Sequence, residues 1–165
     1  MKRREPRQRQ RYHLDRQLAP AGRDPYQASR KPAGPAVCPE CGAVFQRGRW
    51  RWGARPAQAR SQICPACLRL RERQPAGFVT LSGDYLASHR REILALLRDE
   101  EARERPDHPL QRIMGIRERG GGIEVTTTDV HLARRMGDAL RRAHHGELSV
   151  KYAPGEHLVR VRWAR

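Results

Sequence analysis

Two cysteine pairs, Cys38-Pro-Glu-Cys41 and Cys64-Pro-Ala-Cys67, decide how the middle of this 165-residue chain folds. Two residues between the cysteines of a pair let both thiolates face one tetrahedral ion, and two pairs complete a four-thiolate shell. The chain has four cysteines in all, so none is left over. Because such a shell leaves no position for water, we expect one structural zinc ion (Zn2+) held by Cys38, Cys41, Cys64 and Cys67.

Three other uses of four cysteines match this pattern to different degrees. Two disulfides require an oxidising compartment, whereas we expect this chain in the reducing cytoplasm. A redox-active dithiol needs only one pair, set in a βαβ arrangement that the neighbouring residues do not predict. An iron–sulfur site also uses four thiolates, and the spacing leaves that alternative to zinc open.

An arginine- and tryptophan-rich segment, Arg47-Gly-Arg-Trp-Arg-Trp-Gly-Ala-Arg55, lies between the two pairs. Tryptophan faces can stack on unpaired bases while arginine side chains bind phosphates. In the alternative interpretation, both tryptophans form the small core of a zinc ribbon. We predict strands at 43–46, 49–52 and 61–63 and a basic helix at 68–74. The candidate nucleic-acid contacts in this ribbon are Arg47, Arg49, Trp50, Arg51, Trp52, Arg55, Arg60, Arg69 and Arg71.

Residues 75–106 predict a short strand, at 78–81, and a connecting helix. The helix is expected to run from Asp84 to Arg105, with Ser82 as a candidate N-cap and a proline directly after it. Apolar residues recur at helical spacing along one side, which indicates a single buried face. Leu86, Ile93 and Leu97 form this side, and the residues that flank them are Leu94, Tyr85 and Leu96.

Residues 107–165 predict a small ββαββ unit. Its helix is expected to begin at Thr128 or Asp129 and to end at Gly146. The residues expected on the buried side of this helix are Leu132, Met136, Ala139, Leu140 and Ala143. Alternation of basic and apolar residues along the last strand indicates a sheet with one open face. The predicted strands are 110–117, 123–127, 147–152 and 157–163. The outward-facing basic residues are further candidate nucleic-acid contacts: Arg134 and Arg141 on the helix, and Arg160 and Arg162 on the last strand.

The formal net charge is +16, and most of it lies in the first half of the chain. Residues 1–36 carry ten basic and three acidic side chains, and residues 37–73 carry eight and two. A field of this sign attracts polyanions such as RNA, DNA or an acidic membrane face. Residues 1–36 also contain five prolines and few large apolar residues, which predicts a disordered basic arm.

The sequence gives no sign of a membrane or export address. It has no run of about 18 apolar residues that could span a bilayer. The basic N-terminus lacks the apolar core of a secretory signal, and its prolines and acidic residues argue against an import presequence. We therefore expect a cytoplasmic protein.

A cluster of hydroxyls, an acid and an imidazole occurs in Thr126-Thr-Thr-Asp-Val-His131. At the start of a helix it could bind an anion, and a hydrolytic pair of Asp129 and His131 is a further alternative. The simplest interpretation is a threonine-rich strand followed by an aspartate helix cap. Because no nucleophile–base pair or phosphate-binding glycine loop accompanies it, we expect a protein that is not an enzyme.

Five segments together resemble a small bacterial family often labelled NMD-type, affecting ribosome stability and mRNA decay. That family is distantly similar to the export adaptor of the large ribosomal subunit in eukaryotes and archaea, in which zinc-binding cysteine pairs precede α/β domains that engage the ribosome. The resemblance covers residues 37–165 and implies a zinc protein that faces RNA or the ribosome. The segments are Cys38-Pro-Glu-Cys-Gly-Ala-Val-Phe45, Gly48-Arg-Trp50, Cys64-Pro-Ala-Cys67, Pro75-Ala-Gly-Phe-Val-Thr-Leu-Ser-Gly83 and Thr127-Thr-Asp-Val-His-Leu-Ala-Arg-Arg135.

These patterns predict an α+β chain with four consecutive parts. We expect a non-enzymatic zinc-binding protein that binds RNA, with ribosomal RNA or the ribosome as its partner. A DNA-binding regulatory protein and a protein–protein adaptor are the alternatives. No membrane partner is expected, and no pattern indicates an oligomeric state. The parts are a disordered basic arm (1–36), a four-cysteine zinc ribbon (37–74), a strand and connecting helix (75–106) and a ββαββ domain (107–165).

Overall fold

Helices and strands alternate irregularly along the chain, and the strands form two separate sheets, so the fold is of the mixed α+β class. The computed structural model describes residues 12–14, 20 and 22–165. In chain order their elements are β1 (Tyr12–Leu14), α1 (Pro25–Ala28), β2 (Ala36–Val37), β3 (Val44–Gln46), β4 (Arg49–Arg51), β5 (Arg60–Ser61), α2 (Pro65–Glu72), β6 (Gly77–Ser82), α3 (Asp84–Glu104), β7 (Ile113–Arg119), β8 (Gly122–Thr127), α4 (Val130–His144), β9 (Glu147–Tyr152) and β10 (Val159–Ala164).

The smaller sheet lies around the cysteine pairs and has the strand order β4-β3-β2-β5. The predicted hairpin is present as the antiparallel pair β3–β4. The predicted third strand begins one residue earlier and is shorter, and helix α2 begins at Pro65 rather than at residue 68. Proline at the first helical position fits this earlier start, because an N–H at that position has no partner within the helix and proline has none to leave unpaired. Phe45 and Trp50 pack edge to face, 5.5 Å between ring centroids, over the cysteines.

The larger sheet has six strands in the order β1-β9-β10-β6-β8-β7. The predicted ββαββ elements are all present as β7, β8, α4, β9 and β10. They do not form a sheet by themselves, because β6 lies between β10 and β8 and pairs with both. The strand that precedes the long helix is therefore a central strand of the larger sheet.

One face of the larger sheet is covered by the two long helices, and most of the apolar residues predicted for both are buried. The prediction is wrong for Ala143 in the last turn of α4, which is exposed. Leu132, Met136 and Leu140 of α4 are fully buried, as are Ile93 and Leu97 of α3. The prediction that Ser82 caps α3 is wrong. Gly83 occupies the N-cap position without a side-chain bond, because the preceding serine is still the last residue of β6.

Part of the N-terminal segment is ordered, so the prediction of a disordered arm over residues 1–36 is wrong for its described portion. Strand β1 pairs in parallel with β9. Helix α1 follows Asp24, whose side chain caps it and also pairs with buried Arg69 at 2.6 Å. A long-range ion pair thus ties this segment to α2. Residues 1–11, 15–19 and 21 lie outside the described residues.

Among the residues that the structure describes, no helix combines the length and the hydrophobicity that a bilayer span requires.

Candidate metal centre

The four cysteine sulfurs come together in one compact cluster. The Sγ atoms of Cys38, Cys41, Cys64 and Cys67 all lie within 4.8 Å of one another. The Sγ atoms of Cys41 and Cys64 are 3.7 Å apart. Four thiolates around a tetrahedral ion with bonds of about 2.3 Å stand about 3.8 Å apart. The cluster therefore has the dimensions of a metal shell, and no pair of its cysteines is joined as a disulfide.

The two cysteine pairs are held by different local structures. In the first, the Cys38 N–H bonds to the carbonyl of Ala43 and the Gly42 N–H bonds to that of Cys38, which closes a tight turn. Gly42 has a φ of 79°, a left-handed conformation that suits glycine. In the second, Cys64 is the N-cap of α2 and its sulfur accepts the N–H of Cys67 at 3.4 Å. A turn and a helix start thus present two thiols each to the same point.

A buried arginine from the larger sheet's side of the molecule completes the surroundings of the sulfurs. The guanidinium of Arg112 donates to the sulfur of Cys41 at 3.1 Å, to that of Cys67 at 3.3 Å and to that of Cys64 at 3.7 Å. Its Nε donates to the carbonyl of Pro109 at 2.9 Å. Four thiolates and a divalent ion carry two net negative charges, and Arg112 offsets part of that charge in a buried setting.

Arg112 is itself fixed by the residue that follows β8. Its backbone N–H donates to Thr128 Oγ1 at 2.9 Å, and the Thr128 N–H donates to the Arg112 carbonyl. The hydroxyl of Thr128 donates to the carbonyl of Leu110 at 2.6 Å. Thr128 therefore orients the residue that contacts the sulfurs, and it links the cysteine cluster to the larger sheet.

Proton affinities within the cluster favour a thiolate beside Arg112. The hydrogen bond with Cys64 is the main cause that lowers the pKa of Cys41 to about 4, and Arg112 contributes in the same direction against burial. Hydrogen bonding to Cys41 and burial both raise the pKa of Cys64. Burial raises the pKa of Cys67 to about 11 although Arg112 opposes it. A bound cation would take the place of these thiol protons.

The four cysteines of the cluster are largely shielded from solvent. Cys38, Cys64 and Cys67 are buried and Cys41 is half-buried. Four protein ligands fill a tetrahedral shell and leave no place for a substrate or an activated water. The four ligands were identifiable from their spacing, but no local signal marks Arg112, which lies 45 residues beyond Cys67.

The residues predicted to contact nucleic acid in the ribbon divide into buried and exposed groups. Trp50 is 8% exposed and Arg69 is 4% exposed, so both serve packing and we leave them out of the proposed contacts. Trp52 is half-buried, and its indole N–H donates to the carbonyl of Arg105 at 2.6 Å. Arg51 is half-buried and bonds to Gln46. The exposed arginines are Arg47, Arg49, Arg55, Arg60 and Arg71.

The predicted alternation along the last strand is confirmed. Val159, Val161 and Trp163 of β10 are buried, whereas Arg160 and Arg162 are exposed on the opposite face. On α4, Arg134 pairs with Asp138 at 3.4 Å, and Arg134 and Arg141 are both half-buried.

An aromatic ring that the sequence patterns did not single out lies beside these strand arginines. Phe78 of β6 is in register with Arg160, whose guanidinium carbon stands 4.7 Å from the ring centroid. Lys151 of β9 is in register with Arg160 on its other side and is exposed. We call Phe78, Lys151, Arg160 and Arg162 the open sheet face.

A buried acidic residue of the same sheet, two strands from Arg160 in the strand order, is neutralised. Glu124 of β8 is buried and pairs with Arg117 at 2.7 Å and Arg119 at 3.2 Å. Burial alone would raise the pKa of Glu124, but the two guanidiniums outweigh that effect and lower it. Its charge therefore does not cancel the positive charge of the open sheet face.

Asp129 performs the role of a helix cap, which is the simplest interpretation of its sequence. Its Oδ1 accepts the backbone N–H groups of His131 at 2.7 Å and of Leu132 at 3.1 Å. The hydroxyl of Thr127 donates to the Asp129 carbonyl. The Asp129 carboxylate and the Thr127 hydroxyl therefore both make structural hydrogen bonds at the start of α4.

Comparisons with protein-family models, with curated proteins and with solved structures find no match to this chain.

Proposed function

We propose that this chain is a zinc-stabilised, non-enzymatic RNA-binding protein whose partner is ribosomal RNA or the ribosome. The observation that carries the RNA part of the proposal is the open sheet face. Exposed sheets with an aromatic ring among basic side chains bind single-stranded RNA, because unpaired bases stack on the ring while the cations bind phosphates. The exposed ribbon arginines extend the positive surface.

Zinc is the proposed occupant of the cysteine cluster. Four thiolates in a closed tetrahedral shell are a standard structural zinc set, and the sulfur separations suit a bond of about 2.3 Å. Metal analysis of the purified full chain should give one zinc per chain. A content well below one zinc, or one iron in its place, would contradict this assignment.

Zinc would act on RNA binding only through structure. The ion joins the turn between β2 and β3 to the start of α2, and Arg112 contacts sulfurs of both and connects them to the larger sheet. Removing the metal should therefore loosen the ribbon against the larger sheet rather than remove a chemical group. The resemblance to a ribosome-linked family supports ribosomal RNA as the RNA that this chain binds.

Cosedimentation tests the ribosomal part of the proposal. The zinc-loaded chain is centrifuged with purified ribosomal subunits at low and moderate salt. We expect it in the pellet at low salt and progressively less as salt increases, since phosphate contacts release counterions. Arg160→Gln with Arg162→Gln should reduce the pelleted fraction, whereas Arg91→Gln with Arg98→Gln, two exposed arginines of α3, should not. Wild-type protein found only in the supernatant would refute it.

A further inference from the structure

A groove of about 680 Å³ lies where five separate parts of the chain meet. Its walls come from the α1 segment, the β3–β4 hairpin, residues 107–111, the residues around the start of α4, and His157. A volume of this size is within the range of small-molecule sites, roughly 300–1,000 Å³. The groove is distinct from the cysteine cluster, since none of the four cysteines lines it.

The lining of the groove contains two buried polar atoms that have no hydrogen-bond partner among the described residues. Gln111 is 7% exposed, and its Oε1 accepts no bond within that part of the chain. The Nδ1 atom of His157 is likewise buried and unpaired there. More than nine in ten buried polar groups in proteins are paired, so two unpaired atoms on residues that line one groove are unusual, and a bound molecule is one source of the missing partners. An aromatic pair, Phe45 and Trp50, lines the groove with them.

The rim of the groove is positively charged. Arg23, Lys31 and Arg49 line it and are exposed. Two of the three lining carboxylates are already used, because Asp24 pairs with Arg69 and Asp129 caps α4, whereas the third, Asp107, is exposed. Asp24 and Asp129 therefore compete little with an anion for the rim cations, and arginine and lysine are the side chains that bind phosphate.

We propose that this groove binds a nucleoside phosphate. The base would meet Gln111 and His157, since nucleobase edges carry the N–H donors and ring acceptors that an amide and an imidazole recognise. The phosphate would meet Lys31 and Arg49 at the rim. The ligand is either a free nucleotide or one residue of a bound RNA strand, and in the second form the proposal rests on the function proposed above.

Titration calorimetry of the full zinc-loaded chain tests this site. The probes are the four nucleoside 5′-monophosphates, inorganic phosphate and a six-residue single-stranded RNA. We expect at least one nucleotide or the RNA to bind more tightly than inorganic phosphate. Gln111→Leu should weaken that binding about three- to tenfold, the worth of one hydrogen bond. Gln74→Leu, an exposed glutamine outside the groove, is the matched control and should bind as wild type.

A second variant covers the case in which Gln111→Leu does not fold. Lys31→Gln changes an exposed side chain and should also weaken binding, whereas Arg98→Gln on α3 should not. Nucleotide binding lost in these variants supports a free ligand, and loss of the RNA alone supports an RNA residue. Binding of every probe no tighter than phosphate, or binding unaffected by both groove variants, would overturn the proposal. If both variants still bind RNA, the groove proposal fails for RNA but the proposed RNA-binding function is unaffected. If the wild-type chain binds a nucleotide but no RNA, the groove proposal holds for a free nucleotide and the RNA-binding function is contradicted.

Discussion

The buried guanidinium of Arg112 leads to the sharpest prediction for the metal centre. It donates to three of the four sulfurs, and the buried side chain leaves little room for water to replace those bonds. Loss of a group that contacts metal ligands from outside typically weakens metal binding 10- to 100-fold. Because three ligands are affected at once, we expect Arg112→Met to weaken zinc binding about 30- to 100-fold, which corresponds to about 2–2.7 kcal/mol.

A competition titration against a chromophoric zinc chelator measures this change. Methionine keeps the apolar stem of the arginine and removes only the charged fork. Arg112→Lys keeps the charge but cannot reach three sulfurs at once, so its affinity for zinc should lie between that of the wild type and that of Arg112→Met. Arg98→Met, at an exposed position of α3, is the control. A folded Arg112→Met protein that binds zinc within about threefold of wild type would refute the argument, since the expected loss is at least tenfold.

Three further predictions concern stability. Leu97 is fully buried, so Leu97→Ala should lower the free energy of unfolding by about 2–5 kcal/mol in urea titrations, and a loss below about 1 kcal/mol would contradict the described core. Trp52→Phe removes the bond to the Arg105 carbonyl and should cost about 1 kcal/mol by the same titration with unchanged zinc stoichiometry; equal stability would show that the bond is not formed in solution. Since the pKa of Glu124 is lowered in the folded state, its ionised form stabilises the fold above the unfolded pKa of about 4.3, and this contribution is lost as the pH falls through the folded value. Glu124→Gln should therefore lose less stability than wild type on acidification, and a parallel loss in both proteins would argue against the pairing with Arg117 and Arg119.

The features that could be predicted from the sequence are those that depend on neighbours in the chain. The Cys-x-x-Cys spacing predicted that the four cysteines lie together, helical periodicity predicted most of the buried residues of α3 and α4, and alternation placed Arg160 on an exposed strand position. Each of these patterns repeats within a few residues, so local geometry alone determines it.

The features that the sequence did not reveal depend on contacts between distant residues. A proline-rich and basic composition predicted disorder for residues 1–36, but Asp24 is held by Arg69, 45 residues away. Strand β6 was assigned to the connecting segment, because no local pattern states which strands will pair with it. In the sequence nothing distinguishes Arg112 from the other arginines, because only the fold brings it to the sulfurs. The groove at Gln111 could not be predicted for the same reason, since its walls come from distant parts of the chain.

The central claim, that a zinc-stabilised fold presents an RNA-binding surface, is tested most directly by the salt dependence of RNA binding. Fluorescence anisotropy with a labelled single-stranded RNA gives the slope of log affinity against log salt for each variant. Each lost phosphate contact to a single strand should reduce the slope by about 0.7. We predict that Arg160→Gln with Arg162→Gln reduces it by about 1.4, two such contacts, while Arg91→Gln with Arg98→Gln leaves it unchanged. Wild-type protein that does not bind the RNA at low salt, or equal slopes in both double variants, would contradict the claim.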